Sequence, residues 1–354
     1  MTTTAFVASA SAAVLSFFLT QLLITWARRK QLFMPAVRDR DVHTQPTPRV
    51  GGIAMGISLL IVIACIAIFA PARINFTDSA FLGIDRNVFG LILAIVLLAW
   101  VSIVDDFKGA SWKVRLIVQL FAAAVVVYFG VNVPWLSSPL GGRIDLVFLS
   151  PLFVILWLVT IANAVNWLDS IDGLAGGVGA ISLATLFFLS VSDKVNQPAN
   201  ALLAAVGFGA VVGFLPHNFA RRKAFLGETG SIILGFLIGV VAIISGGKVA
   251  TAFLVLAIPF LDAVVVFFAR LLARQSPFKA DQRHLPHKLM ELGMKRWQID
   301  VAYYFMSLAF GLIALNTQTT GKLAAAAIAL IIMASLVGYY SWALKKKSSK
   351  NPLQ

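Results

Sequence analysis

Acidic residues are scarce in this chain. Only 15 of its 354 residues are Asp or Glu, against 29 Lys and Arg, and charged residues of every kind make up 12%. A soluble domain carries about twice that share of charge. An ordinary soluble enzyme is therefore excluded, and with 59% hydrophobic residues so is a disordered chain. Cysteine is nearly absent. Cys65 stands alone in an apolar run, which excludes an internal disulfide. No Gly-rich loop ending in Gly-Lys-Ser or Gly-Lys-Thr occurs, so nucleotide hydrolysis at a P-loop is not indicated. The net charge of +14 does not imply nucleic acid as a partner. An integral membrane protein also reads basic when the loops on one side carry Lys and Arg.

Long apolar runs are plentiful. A helix crossing the hydrocarbon needs about 20 mostly apolar residues. Eleven candidates stand at 5–27, 51–70, 88–104, 114–131, 146–162, 173–192, 199–215, 230–246, 249–269, 299–316 and 322–344. They predict an all-α polytopic helix bundle, with residues 1–354 as a single integral membrane domain. Nothing basic precedes the first run, while Arg28, Arg29 and Lys30 follow it. That is the reverse of a signal peptide's charge order, so the run reads as an anchor with the N-terminus outside. In this topology 23 basic residues fall on the inner side, from Arg28 to the Lys345-Lys346-Lys347 tail and Lys350. Six fall outside: Arg73, Arg86, Arg143, Lys194, Lys248 and Lys322. The bias supports the span count, the orientation and a cytoplasmic C-terminus. The inner loops are then about 28–50, 105–113, 163–172, 216–229 and 270–298. The Gly-rich run Gly173–Gly179 opens the sixth span, where small residues permit close helix packing.

An intramembrane carboxylate is costly, so each acid at a span end is a candidate site. Asp105 and Asp106 are adjacent at the end of the third span, at the unfavourable end of a helix dipole. A cation, a shared proton or a lysine such as Lys108 or Lys113 must offset their repulsion. Asn163, Asn166, Asp169 and Asp172 recur at every third position and predict one polar helical stripe. Two amides and two acids suit a hydrated Mg²⁺ and phosphate oxygens. Asp169 as a cap of the sixth span is the plainer alternative. Gly227-Glu228-Thr229-Gly230-Ser231 suits an anion-binding turn with a metal ligand, or simply a helix cap. Asp281-Gln-Arg283-His284-Leu-Pro-His287-Lys288 offers imidazoles and cations for a diphosphate. Asp262 lies inside the ninth span, and His43 sits in a Pro- and Gly-rich turn before the second. Together these segments suit a metal-assisted reaction between a phosphorylated soluble donor and a lipid-borne phosphate.

In this order, the motifs resemble those of the polyprenyl-phosphate N-acetylhexosamine-1-phosphate transferase family, in its WecA/TagO-like branch. The resemblance runs from about His43 to Leu292. It implies an enzyme of a bacterial cytoplasmic membrane, its active site on the cytoplasmic face. The implied reaction moves HexNAc-1-phosphate, GlcNAc-1-phosphate first among them, from UDP-HexNAc to polyprenyl phosphate, with UMP released. The implied cofactor is Mg²⁺, with Mn²⁺ able to replace it, and a homodimer is compatible. Asp105, Asp106 and Asp169 take catalytic roles, and Glu228 with Asp169 the metal. His43, Lys113, Asn163, Asn166, Asp172, Phe225, Asp262, Arg283, His284 and His287 contact the substrates. Gln119 matches a polar position on the helix after the paired aspartates. Three positions depart from the pattern: Glu228 for Asp, Pro286 for His and Ser170 for Gly. A transporter with an acidic relay and an inactive scaffold homologue are the readings that compete with the enzyme.

Overall fold

The computed structural model describes residues 2–32, 47–138, 142–193, 195–219, 223–244, 249–274 and 284–350. His43 and Arg283 therefore lie outside the described residues. Helices dominate: α1 (Thr2–Lys30), α2 (Gly51–Phe69), α3 (Arg86–Lys108), α4 (Trp112–Tyr128), α5 (Ser150–Leu168), α6 (Leu174–Val191) and α7 (Pro198–Asn218). They continue as α8 (Gly227–Ile244), α9 (Val249–Val255), α10 (Ala257–Leu272), α11 (Leu285–Glu291), α12 (Arg296–Asn316) and α13 (Thr319–Lys350). Two short antiparallel hairpins, β1 (Ala80–Phe81) with β2 (Ile84–Asp85) and β3 (Trp135–Ser137) with β4 (Arg143–Asp145), are the only strands among the described residues.

Nine of the described helices are long and apolar enough to cross a membrane. The eleven expected spans differ from this count at two places. The span expected at 249–269 is two helices, α9 and α10, that meet at 80°. Pro259 explains the break. It has no N–H to give the carbonyl of Val255, so the helix cannot run through. The span expected at 114–131 is α4, a helix of 17 residues. Large apolar side chains such as Phe6, Phe18, Trp100 and Phe121 are exposed on the outside of the bundle, as lipid contact requires.

Inside the bundle the helices hold together by close approach, because apolar side chains gain little by leaving lipid. On α7, a Cβ added to Gly209 or Gly213 would stand 2.0 or 2.1 Å from a carbonyl oxygen of α1, at Ser9 or Ala13. Only glycine lets those two backbones touch. At the centre runs α8, buried at all but its ends. Trp157 of α5 donates its indole N–H to the Gly239 carbonyl of α8 at 3.1 Å. The start of α8 meets the ends of α3 and α5 through Asp106 and Asn166, and the polar residues gather there.

Candidate active site

The ends of α3 and α8 meet through Asp106. Its side chain is fully buried. One carboxylate oxygen accepts the Glu228 N–H at 3.2 Å. The other accepts the Thr229 N–H at 3.1 Å and the Thr229 hydroxyl at 2.9 Å. These N–H groups are among those an α-helix leaves unpaired at its start. Asp106 thus caps α8 from another helix, with its charge at the positive end of the dipole. Asp105 turns away and accepts the Ala110 N–H, with its other oxygen 3.5 Å from Arg115 Nη1. The paired aspartates escape mutual repulsion by taking different partners. The partners are Arg115 and the start of α8, and not Lys108 or Lys113.

Arg115 also reaches Glu228, at 2.8 Å. It lies four residues before Gln119 on α4, hence on the same face. Gln119 is buried and accepts the Asn163 amide at 2.5 Å. Lys113, two residues earlier, falls on another side of α4, exposed and over the ring of Trp112. The basic residue that meets the acids is therefore Arg115 and not Lys113. Arg49 arrives by an extended pairing. Phe225 donates its N–H to Pro48 at 3.0 Å, and Gly51 and Gly52 donate to Phe225 and Leu226 at 3.0 and 2.9 Å. That pairing sets Arg49 Nη1 3.9 Å from Asp106. It also fixes the backbone of Phe225 at the edge of the site.

The stripe predicted from Asn163 to Asp172 is interrupted. Helix α5 stops at Leu168 and Asp169 is its C-cap, not the cap of α6. Asn163 turns to Gln119 on α4, whereas Asn166 donates to Ser231 of α8 at 2.8 Å. Asp172 lies in the turn beyond, 3.5 Å from Arg296 of α12. The turn ends at Gly173, whose φ of +86° is a left-handed value that glycine adopts freely. Its N–H donates to Asn218 at 2.6 Å, and Asn218 in turn donates to the Ala224 carbonyl at 3.0 Å. Asp169 sits in the charge field of Asp172, Asp106 and Glu228. Burial first, and then those three charges, push its carboxyl up to about 8, with Arg49 acting the other way.

Among the described residues, no three His, Cys, Asp or Glu side chains converge tightly enough to form a ready metal cage. Mg²⁺ does not need one, since it keeps waters and binds through one or two carboxylates plus substrate phosphates. The crowding that raises Asp169 is relieved by any cation set among Asp169, Asp172 and Glu228. Carboxylates are the donor type that magnesium takes, and Asp169, Asp172 and Glu228 are the residues that would hold it.

Asp262, within α10, is buried and pairs with the histidine segment. It lies 2.9 Å from His284 Nδ1 and accepts the Leu285 N–H at 2.8 Å, capping α11. The His284 ring stacks on Trp167 of α5, centroids 6.4 Å apart. His287 follows on α11, half-buried. Beside these residues opens a groove of about 300 Å³ between α4, α5 and α10. Phe260, Val264, Phe267 and Phe268 form its apolar wall, and Arg115, Asn163, Asn166 and Glu228 its polar end. Sequence reasoning passed over Arg115, Arg49, Trp167, Asn218 and Arg296. Only Arg115 carried a local signal, its spacing to Gln119.

A bundle of apolar helices with acids, amides and arginines gathered where α3, α5 and α8 end defines a multi-pass membrane protein with a buried polar site. Comparison with known proteins gives the class a name. The model for glycosyl transferase family 4 matches residues 88–246, which include Asp105, Asp106, Asn163 to Asp172 and Glu228. The decaprenyl-phosphate N-acetylglucosaminephosphotransferase of Mycobacterium leprae is 30% identical over 359 residues, spanning 92% of this chain and 88% of its own. The enzyme of that name from Mycolicibacterium smegmatis is 31% identical, over 88% and 80%. A probable undecaprenyl-phosphate N-acetylglucosaminyl 1-phosphate transferase of Bacillus subtilis is 30% identical, over 78% and 75%. The chain belongs to glycosyl transferase family 4.

Proposed function

We propose that this protein transfers GlcNAc-1-phosphate from UDP-GlcNAc to a polyprenyl phosphate, releasing UMP. The observation that carries the reading is the groove. An apolar groove between α4, α5 and α10 includes Arg115 and Glu228 in its lining, and Arg115 also reaches Asp105 at the end of α3. A lipid phosphate fits such a groove, tail along its apolar wall and head at the arginine. A nucleotide sugar is soluble and approaches from the other side, over the turn from Asp169 to Gly173 and the segment at Phe225. The relatives' names give a decaprenyl or undecaprenyl phosphate and the transfer of an N-acetylglucosamine phosphate, which supports the lipid acceptor and the group transferred.

In the reaction, an oxygen of the lipid phosphate attacks the sugar-bearing phosphorus of the donor. A new phosphoanhydride bond forms to the lipid, the bond to UMP breaks, and its electrons leave on the UMP phosphate. Arg115 holds the attacking phosphate through its charge and forked donors. Asp105, beside Arg115, orients that phosphate and takes a proton if it arrives monoprotonated. Asp106 keeps α8 in register and so places Glu228. Asn163 and Asn166 line the polar end of the groove. His284, fixed by Asp262 and Trp167, faces the departing side with His287. Catalysis is then mostly positioning and electrostatics. Mg²⁺ held by Asp169 with Glu228 or Asp172 would screen the charge of two approaching anions. Mn²⁺ fits the same donors.

The bias of basic residues supports a cytoplasmic location for this face, in a bacterial cytoplasmic membrane, with the product entering cell-envelope glycan synthesis. The test is incubation of purified protein with labelled UDP-GlcNAc, undecaprenyl phosphate and Mg²⁺. Label should move into butanol as UMP appears. No transfer with any of several UDP-sugars, with Mg²⁺ or Mn²⁺, would sink the reading.

A further inference from the structure

The turn from Asp169 to Gly173 is gripped from outside the site by α12. Tyr304 donates its hydroxyl to the Gly173 carbonyl at 2.6 Å. That carbonyl also accepts the Gly177 N–H at 2.8 Å, and the Gly173 N–H is taken by Asn218. Both polar backbone groups of Gly173 are thus fixed. The ring has a purpose-made seat. A Cβ at Gly177 would stand 2.1 to 2.3 Å from Tyr304 ring and hydroxyl atoms, and one at Gly173 would stand 2.5 Å from Phe219. Phe219 and Tyr304 lie 6.2 Å apart, so the glycine turn is held between two aromatic rings. Two helical turns earlier on α12, Arg296 reaches Asp172.

We infer that Tyr304 is a positioning residue, which sets the Asp169–Gly173 turn for the nucleotide-sugar donor through its hydroxyl bond to Gly173. The inference rests on the functional reading above. Helix α12 does not need this hydroxyl in order to dock. It also meets α6 at Gly311, where a Cβ would stand 2.7 Å from the Thr185 hydroxyl oxygen. Loss of the hydroxyl leaves the Gly173 carbonyl still paired with Gly177, so no buried acceptor is orphaned. What is lost is the fixed direction of the turn. A misplacement of about 1 Å in a positioned group costs up to about a hundredfold in rate.

The decisive variant is Tyr304→Phe, which keeps the ring and removes one atom. Its kcat/KM for UDP-GlcNAc should fall about tenfold, while the KM for polyprenyl phosphate stays within about twofold. UMP, as a product inhibitor, should bind more weakly by a similar factor, and the melting temperature in detergent should stay unchanged. Gly177→Ala displaces the ring by a separate route and should give the same donor-selective loss, with no additional loss when combined with Tyr304→Phe. Wild-type donor kinetics in Tyr304→Phe overturn the inference. So does an equal loss for donor and acceptor, or a loss tracked by melting temperature. A wild-type protein that neither binds UMP nor transfers label overturns the functional reading, and the inference falls with it.

Discussion

Arg115 and Glu228, 113 residues apart in sequence, form an ion pair of 2.8 Å at the polar end of an apolar groove. The same guanidinium stands 3.5 Å from Asp105. An arginine in that place competes with a divalent cation for Glu228, and it offers a phosphate the same forked donors. Arg115→Gln should therefore act in opposite directions on two ligands. Mn²⁺ binding without substrate, followed by electron paramagnetic resonance, should tighten severalfold. The KM for polyprenyl phosphate should rise by about tenfold or more. Weaker Mn²⁺ binding in the variant would show that Arg115 does not compete for Glu228.

Asp106 makes a different prediction from its neighbour. Its oxygens hold two N–H groups at the start of α8 and the Thr229 hydroxyl, all buried. Asp106→Ala orphans them, and should cost about 3 kcal/mol of stability in addition to activity. Asp105→Ala removes a carboxylate with a half-exposed partner, and should abolish activity with little change in melting temperature. Thermal unfolding in detergent, beside the transfer assay, separates the two. Equal melting temperatures for both variants would contradict the capping role.

The helices were legible because apolar runs of membrane length have few other uses, and the acids were legible because a membrane protein keeps few of them without cause. Asp105, Asp106, Asp169, Asp172 and Glu228 gather as their positions at span ends suggested. What stayed hidden depends on contacts between distant segments. That Asp106 caps α8, that Arg49 comes in on the strand-like pairing with Phe225, and that Asn218 ties Gly173 to Ala224 are all written across more than one loop. Periodicity misled at Asp169, because a three-residue repeat is compatible with a helix that stops. On α4 the four-residue spacing of Arg115 and Gln119 was the one local cue, and the partners Glu228 and Asn163 show that this face meets the site.

Packing of α1 on α7 gives a prediction far from the site. At Gly213 a side chain has nowhere to go, since its first carbon would stand 2.1 Å from the Ala13 carbonyl oxygen. Gly213→Leu must push two backbones apart, at a cost of about 1–3 kcal/mol or more. Lower yield of folded protein and a lower melting temperature are expected, with donor and acceptor KM unchanged in the fraction that folds. Unaltered stability would mean that α1 is not seated against α7 in this way.

Asp169 supplies the pH dependence. Its carboxyl is held up to about 8 in the folded chain, against an ordinary 3.8, by burial and by the charges of Asp172, Asp106 and Glu228. The folded chain thus binds this proton more tightly than the unfolded chain does. The stability this confers is complete below about pH 4, and it drains away as pH rises to about 8. A divalent cation works against the same proton, because a carboxylate must ionise to ligate. Mn²⁺ affinity should accordingly climb between pH 6 and pH 8, with one proton released per ion bound. In Asp169→Asn the climb should flatten, and the protein should be more stable than wild type at pH 8, where the wild-type acid is ionised among like charges. Isothermal titration in two buffers of different ionisation enthalpy counts the proton. No release in the wild type would mean that this carboxylate is not a ligand for the ion.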